Sequence, residues 1–320
     1  MATVFACTRA HVDDIIGRAD RFFIVFDHND GVAQVTQVDL NALDDALWAK
    51  IYAAFLEYAV LVFPEQHLTD AAQGLFAERF GTIEQLNSKQ KSPNVQISNK
   101  KPDGRLAQPD EYQYQILKGN EGWHTDSTYM PLASKAAMLT AVELPSSGGE
   151  TGFADMRAAW DALSPEKQAM IEPLYAHHSL YYSQAKAGFV HKTEGHYGLH
   201  NKGAPLRAIV KTHPETGRKS IYTGRHAYAI SGLSDVDSER LLKDLLDAAC
   251  QAPRVYTHQW SVGDTVVWDN RCVLHRARPY DRREPRVLRG TRIAGDPTTE
   301  LAPTAPDPRA ENFVPAALNQ

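Results

Sequence analysis

From Lys135 onward the chain is cut into short apolar runs by turns. KAAMLTAVEL (135–144) precedes the glycine-rich turn PSSGGETGF, and LRAIVKTH and SIYTGRHAY flank the turn PETGRK. YTHQW, a Gly263-Asp264 turn, TVVWDN, CVLHRA and RVLRGTRIA follow. The helices do not alternate with the strands in a βαβ rhythm, which argues against a doubly wound parallel sheet. Many short strands joined by turns close most readily into a sandwich or jelly roll. The expected fold class is mainly β with flanking helices (α+β).

The helices are placed by period. Leu43, Leu47, Ile51 and Phe55 recur every four residues and give one helix an apolar face. AVLVF (59–63) reads as a buried strand, Thr69-Asp70 opens a second helix that Gly81 closes, and NVQIS (94–98) is strand-like. Residues 156–174 read as one amphipathic helix, and Ser234 to about Gln251 as another. Residues 176–204 mix His, Tyr, Gly and Lys without a period, which predicts a long surface loop or lid. The expected organisation is a segment 1–37 of uncertain structure, one domain over 38–296, and a Pro- and Ala-rich flexible tail over 297–320.

Composition narrows the function classes. A length of 320 residues, 43% of them hydrophobic, suits a soluble globular protein, and a formal charge of -5 argues against a nucleic-acid or membrane-surface partner. No apolar run approaches the ~20 residues of a membrane span. The first residues, MATVFACTRAHVDD, lack the pattern of a signal peptide. Cys7, Cys250 and Cys272 show no metal-type spacing and read as reduced thiols. A cytoplasmic homo-oligomer is the expectation.

Four His-x-Asp/Glu triplets stand in the sequence: His11 with Asp13, His28 with Asp30, His124 with Asp126, and His213 with Glu215. The second and fourth lie in turns and read as solvated. The first leads an apparent helix, where residues two apart diverge by about 200° around the axis. His124 and Asp126, in WHTDSTY, suit an extended segment, and there both side chains point to one face. The best third partner is His275, in VVWDNRCVLHRA. Two His and a carboxylate on one triangular face suit a non-haem Fe(II) enzyme that activates oxygen, and zinc is the chemical competitor. Arg286, eleven residues on, and Thr151, in the GGETGF turn, offer a planar fork and a hydroxyl that could fix a distal carboxylate.

WHTDSTY, GGETGF, WDNRCVLHRA and Arg286 together resemble the taurine and dichlorophenoxyacetate dioxygenases, over about Val38 to Gly295. The resemblance implies a double-stranded β-helix (jelly roll) and dependence on Fe(II), 2-oxoglutarate and O2. It implies iron at His124, Asp126 and His275, and the 2-oxoglutarate carboxylate at Thr151 and Arg286. GNEGWHTDSTYMP, HSLYYSQAKAG, YTGRHAYAI and ACQAPRVYTHQW are similar to the aryloxyalkanoate branch, particularly the enzymes taking S-phenoxypropionates. A small anionic, aromatic substrate follows, cleaved to a phenol and a keto acid. Arg225 and His226 are the first choice for its carboxylate, Asn120 matches a substrate-contacting position of the taurine enzymes, and Tyr129 and Met130 could wall the ring.

One departure from the pattern bears on substrate. Taurine dioxygenases carry a sulfonate-binding Arg four residues after the 2-oxoglutarate Arg, and here that position is Gly290. Arg289 and Arg292 flank it, but strand alternation sends them to opposite faces. Taurine is therefore not the expected substrate. The alternatives are a related dioxygenase acting on an alkylsulfonate, a sulfate ester or another small carboxylate, and, from other classes, a zinc-dependent hydrolase or a non-catalytic jelly-roll binding protein.

Overall fold

The computed structural model of the chain describes residues 23–26, 32–86, 92–190 and 197–307, the first of these as backbone only. Cys7 and the triplets at His11 and His28 lie outside the described residues, as does 308–320.

Two sheets enclose the centre of the fold. The larger has seven strands in the spatial order Phe23–Phe26, Val32–Thr36, Val60–Phe63, Thr265–Asp269, Ser134–Glu143, Val287–Ala294 and Val95–Ser98. All its pairings are antiparallel except that of Val32–Thr36 with Val60–Phe63. The smaller sheet has Val255–His258, Thr151–Asp155 and Val273–Ala277 in that order, all antiparallel. A further antiparallel sheet, Ala227–Ile230, Tyr175–His178, Ala204–Ala208 and Thr304–Ala305, flanks them. This is the jelly roll that the turn-punctuated strands predict.

Alternation decides which side chains face inward. Ala137, Leu139, Val266, Trp268 and Leu288 of the large sheet meet Phe153 and Val273 of the small one in a shared core. Their neighbours Ala136, Met138, Val267 and Ile293 face outward, under the helices Asp45–Tyr58 and Asp70–Glu78. Those helices start where the side chains of Asp44 and Thr69 cap them. The outer face of the small sheet, through Ala154 and Leu274, packs on Met156–Asp161 and Asp235–Ala249. Covered on both faces, the central strands are buried almost throughout, so burial hides an alternation that only the packing partners reveal.

Three sequence expectations change. The single helix over 156–174 is two, Met156–Asp161 and Pro165–Ile171, because Ser164 caps a new N-terminus and Pro165 occupies its first turn. The expected loop over 176–204 contains most of the strand Tyr175–His178 and the helix Leu180–Lys186, and the strand Ala204–Ala208 begins at its end. Leu180, Tyr181 and Leu199 are buried there in a cluster of their own with Tyr129, so packing supplies the order that period did not announce. His213, read as solvated, is buried and lies 3.0 Å from the Asp269 carboxylate.

Of the C-terminal segment, residues 297–307 run along the domain. Pro297–Glu300 is a short helix, Thr304–Ala305 pairs with Ala204–Ala208, and buried Glu300 meets Lys211 at 3.0 Å. Among the described residues no helix is long and apolar enough to cross a membrane.

Candidate active site

His124 and His275 are directly opposed across an antiparallel pairing that extends the small sheet. The His124 N–H donates to the His275 carbonyl at 3.0 Å, and the His275 N–H returns the bond at 2.8 Å. Directly opposed residues project to one face, so the two imidazoles lie with ring centroids 4.2 Å apart. Asp126, two residues on, returns to that face, with Oδ2 3.6 Å from His275 Nε2. All three are buried, and one ligand atom from each lies within 4.8 Å of the others.

The electrostatics favour a cation. The His124 ring is bonded through Nδ1 to the Gly122 carbonyl, 2.8 Å away, an arrangement that assigns the proton to Nδ1 and leaves the Nε2 lone pair free. Burial and then the neighbouring His275 hold His124 well below the ordinary histidine range. Burial also lowers His275, against the opposing pull of Asp126. Both rings are thus neutral, the form that binds a metal. Burial works against the Asp126 carboxylate, but Arg292 and then the two imidazoles outweigh it and bring its pKa below the usual value. Arg292 Nη2 lies 2.8 Å from Asp126 Oδ1, so the other oxygen is the one turned to the histidines. Two neutral imidazoles and one ionised carboxylate at this spacing fit a single divalent ion.

A second trio, His213, Asp269 and Cys272, is equally close and buried. Its carboxylate is already committed: Arg271 donates to Asp269 Oδ1 at 2.8 Å through Nε and to Oδ2 at 2.6 Å through Nη2, and His213 takes Oδ2 as well. A guanidinium on both oxygens makes this a structural ion pair.

Thr151 and His275 share the inner face of the small sheet, where Thr151 opposes Ala277, two residues beyond His275. Arg286 comes from the large sheet, at the start of Val287–Ala294. Its backbone N–H is fixed by Asn99 Oδ1 at 2.8 Å, and its Nε donates to the Gly149 carbonyl at 2.9 Å. Gly149 has φ +76°, and a Cβ there would stand 2.9 Å from Arg286 Nε, so the GGETGF turn uses this glycine to let the guanidinium in. Burial lowers the Arg286 pKa to about 10. Among the described residues it has no carboxylate within ion-pair distance. Thr151, Arg286 and the three metal-type residues line one cavity, which Tyr280, Arg282 and Arg292 also border.

The expected substrate residues divide. Asn120 lines the cavity. Arg225, His226, Tyr129 and Met130 stand behind its wall. The Arg225 N–H donates to the Trp123 carbonyl at 2.8 Å, which holds this segment beside His124, and its guanidinium bonds the neutral Gln184. The His226 ring centroid is 5.8 Å from that of His124 and 4.8 Å from that of Tyr129, and its Nδ1 is 2.7 Å from Ser183 Oγ. Tyr129 is buried and Met130 half-buried in the cluster with Leu180 and Tyr181. Sequence reasoning missed Arg292 as the partner of Asp126. Alternation placed it on the face opposite Arg289, and the structure bears this out, since Arg289 turns outward to the Leu68 carbonyl at 2.7 Å.

Comparison with known proteins agrees with this geometry. The family model described as taurine catabolism dioxygenase TauD, TfdA family matches residues 27–292. The (S)-phenoxypropionate/alpha-ketoglutarate-dioxygenase of Sphingobium herbicidovorans is 53% identical over 278 residues, covering 84% of this chain and 94% of that protein. The alpha-ketoglutarate-dependent 2,4-dichlorophenoxyacetate dioxygenase of Cupriavidus pinatubonensis is 39% identical, covering 80% of this chain and 92% of its own length. Among solved structures, AAD-2 in complex with Mn(II) and N-oxalylglycine superposes with a TM-score of 0.80 at 36% identity, covering 89% of this chain and 99% of that one. With its jelly roll, its buried pair of histidines and carboxylate, and a family match that spans most of its length, this chain belongs to the TauD/TfdA dioxygenase family.

Proposed function

We propose that this protein is an Fe(II)- and 2-oxoglutarate-dependent dioxygenase that hydroxylates the ether-bearing carbon of an aryloxyalkanoate. The observation that carries the reading is one cavity that holds both a two-histidine, one-carboxylate face and a buried arginine with no carboxylate partner among the described residues. The similarity to the phenoxypropionate and dichlorophenoxyacetate enzymes supports the substrate class.

In this reading His124, Asp126 and His275 hold the iron, and Thr151 and Arg286 hold the distal carboxylate of 2-oxoglutarate. Bound there, Fe(II) supplies the redox chemistry that couples oxidation of 2-oxoglutarate by O2, to succinate and CO2, to insertion of one oxygen atom into a substrate C–H bond. The protein's part is position and environment. The His124–His275 backbone pairing sets the spacing of the imidazoles, and Arg292 keeps the Asp126 carboxylate ionised and turned. Arg286 offers a charge-assisted fork to an anion that would otherwise leave water at a large cost. Asn120 meets the substrate from the cavity wall, and Arg225, behind that wall, adds its positive charge to the field at the substrate carboxylate, with His226, Tyr129 and Met130 packed around it. Hydroxylation at the ether carbon yields a hemiketal, or a hemiacetal from a phenoxyacetate. The bond between that carbon and the phenoxy oxygen then breaks, the departing phenol oxygen takes up the hydroxyl proton, and the new carbonyl completes the keto acid.

The test is turnover of (S)-2-phenoxypropionate with Fe(II), O2 and 2-oxoglutarate. Phenol, pyruvate and succinate should form in equal amounts. Succinate formation stimulated by taurine and not by any aryloxy acid would contradict the substrate class.

A further inference from the structure

The Val287–Ala294 strand carries a glycine at its centre, where a side chain would ordinarily pack. Gly290 has no positive φ, so its backbone conformation does not call for glycine. It lies opposite Val95 on one side and Leu139 on the other. A Cβ at this position would stand 3.2 Å from Ile97 Cγ1 and 3.4 Å from Leu139 Cδ2, closer than side chains comfortably pack. Ile97, Leu139, Val95, Leu117 and Gly290 all line the cavity that holds His124, Asp126 and His275.

Among the described residues this stretch of wall presents no free charge. Arg292, two residues on and on the same face, is tied to Asp126 at 2.8 Å, and Arg289 points away to the Leu68 carbonyl. The wall at 290 is therefore aliphatic, with Ile97 and Leu139 closed over the glycine. Glycine inside a strand otherwise weakens it, and here it lets Ile97 and Leu139 close over the backbone.

We propose that Gly290 is a specificity-determining residue: by letting Ile97 and Leu139 seat close on the backbone at 290, it leaves the substrate's aryl ring a slot walled by Val95, Ile97, Leu117 and Leu139. This rests on the aryloxyalkanoate reading and adds the place of the ring to it. A methyl group at 290 presses Ile97 off the backbone and leaves Leu139 no slack, and the cavity that both line is the slot itself. The slot then narrows for a ring and not for a small alkyl group.

The experiment compares wild type with Gly290→Ala on ring-free 2-methoxypropionate, (S)-2-phenoxypropionate and its 4-chloro and 2,4-dichloro derivatives. KM should rise with ring size, by about tenfold or more for the dichloro acid, with little change for the ring-free acid. KM for 2-oxoglutarate and affinity for Mn(II) should stay within about twofold of wild type, because the change touches neither group's partners. In the opposite direction, Ile97→Ala widens the slot and should lower KM for the dichloro acid relative to the phenoxy acid. An equal change across the series, or none, in both variants overturns the placement while leaving the function intact. If wild type binds Mn(II) and 2-oxoglutarate yet turns over no aryloxy acid, the functional reading falls and the placement falls with it.

Discussion

Arg292 Nη2 and Asp126 Oδ1 lie 2.8 Å apart, and this contact fixes which carboxylate oxygen faces the two histidines. Arg292 also passes its guanidinium over the Tyr197 ring at 5.3 Å, so it is held from two sides. Partners that orient a metal ligand typically matter nearly as much as the ligand. Arg292→Met should therefore weaken Mn(II) binding by about 10- to 100-fold, read by calorimetric titration. Unchanged affinity would make Arg292 a packing residue only.

Asp126 separates a metal enzyme from a binding jelly roll. Asp126→Ala should abolish both metal binding and turnover while the fold survives, since Arg292, which loses its carboxylate, borders the cavity and can be solvated there. Circular dichroism checks the fold, and metal titration checks the site. Metal binding that survives the substitution would remove Asp126 from the ligand set.

Arg286 is a buried cation without an anionic partner among the described residues. Arg286→Gln should raise KM for 2-oxoglutarate by at least about thirtyfold, the equivalent of losing about 2 kcal/mol from a desolvated charge pair. Thr151→Val should cost about 1 kcal/mol, a smaller rise, since a single neutral hydrogen bond is at stake. Trp260 Nε1 donates to the same hydroxyl at 3.0 Å, so the Val variant also strips a partner from the indole. Steady-state kinetics with 2-oxoglutarate varied would show both effects, and equal KM values would contradict the assignment.

The buried pair of Asp269 and Arg271 predicts how stability depends on pH. Burial pushes the Asp269 carboxyl up, but Arg271, followed by His213, outweighs burial and depresses it. A depressed folded pKa means that its stabilisation is complete above the unfolded carboxyl value of about 4. It is lost as pH falls from there toward the folded value. Asp269→Asn should cost about 3 to 5 kcal/mol at pH 7 by leaving Arg271 buried without its anion, and it should flatten the acid limb of the stability curve. Urea denaturation at pH 7 and pH 3 would test this.

The triad was legible because its geometry is local and periodic. His124 and Asp126 are two apart on extended chain, and His275 sits inside an apolar strand. That Thr151 and Arg286 would meet the triad in one cavity was legible through the GGETGF turn and the Arg286 spacing. Arg292 was placed on a face by alternation but not given a partner, because pairing between segments 166 residues apart leaves no periodic trace. The same reason hid His213, whose turn-like neighbours masked a buried contact to Asp269. Residues 176–204 misled because the helix Leu180–Lys186 spans only seven residues, too few to display a period, and draws its order from the buried cluster around Tyr129.

The most direct measurement is oxygen uptake by the iron-loaded protein in the presence of 2-oxoglutarate, with (S)-2-phenoxypropionate, its R enantiomer or taurine added in parallel. The account predicts uptake stimulated by a phenoxypropionate, with one phenol and one succinate released for each O2 consumed. Turnover that needs neither O2 nor 2-oxoglutarate and is sustained by zinc would contradict it.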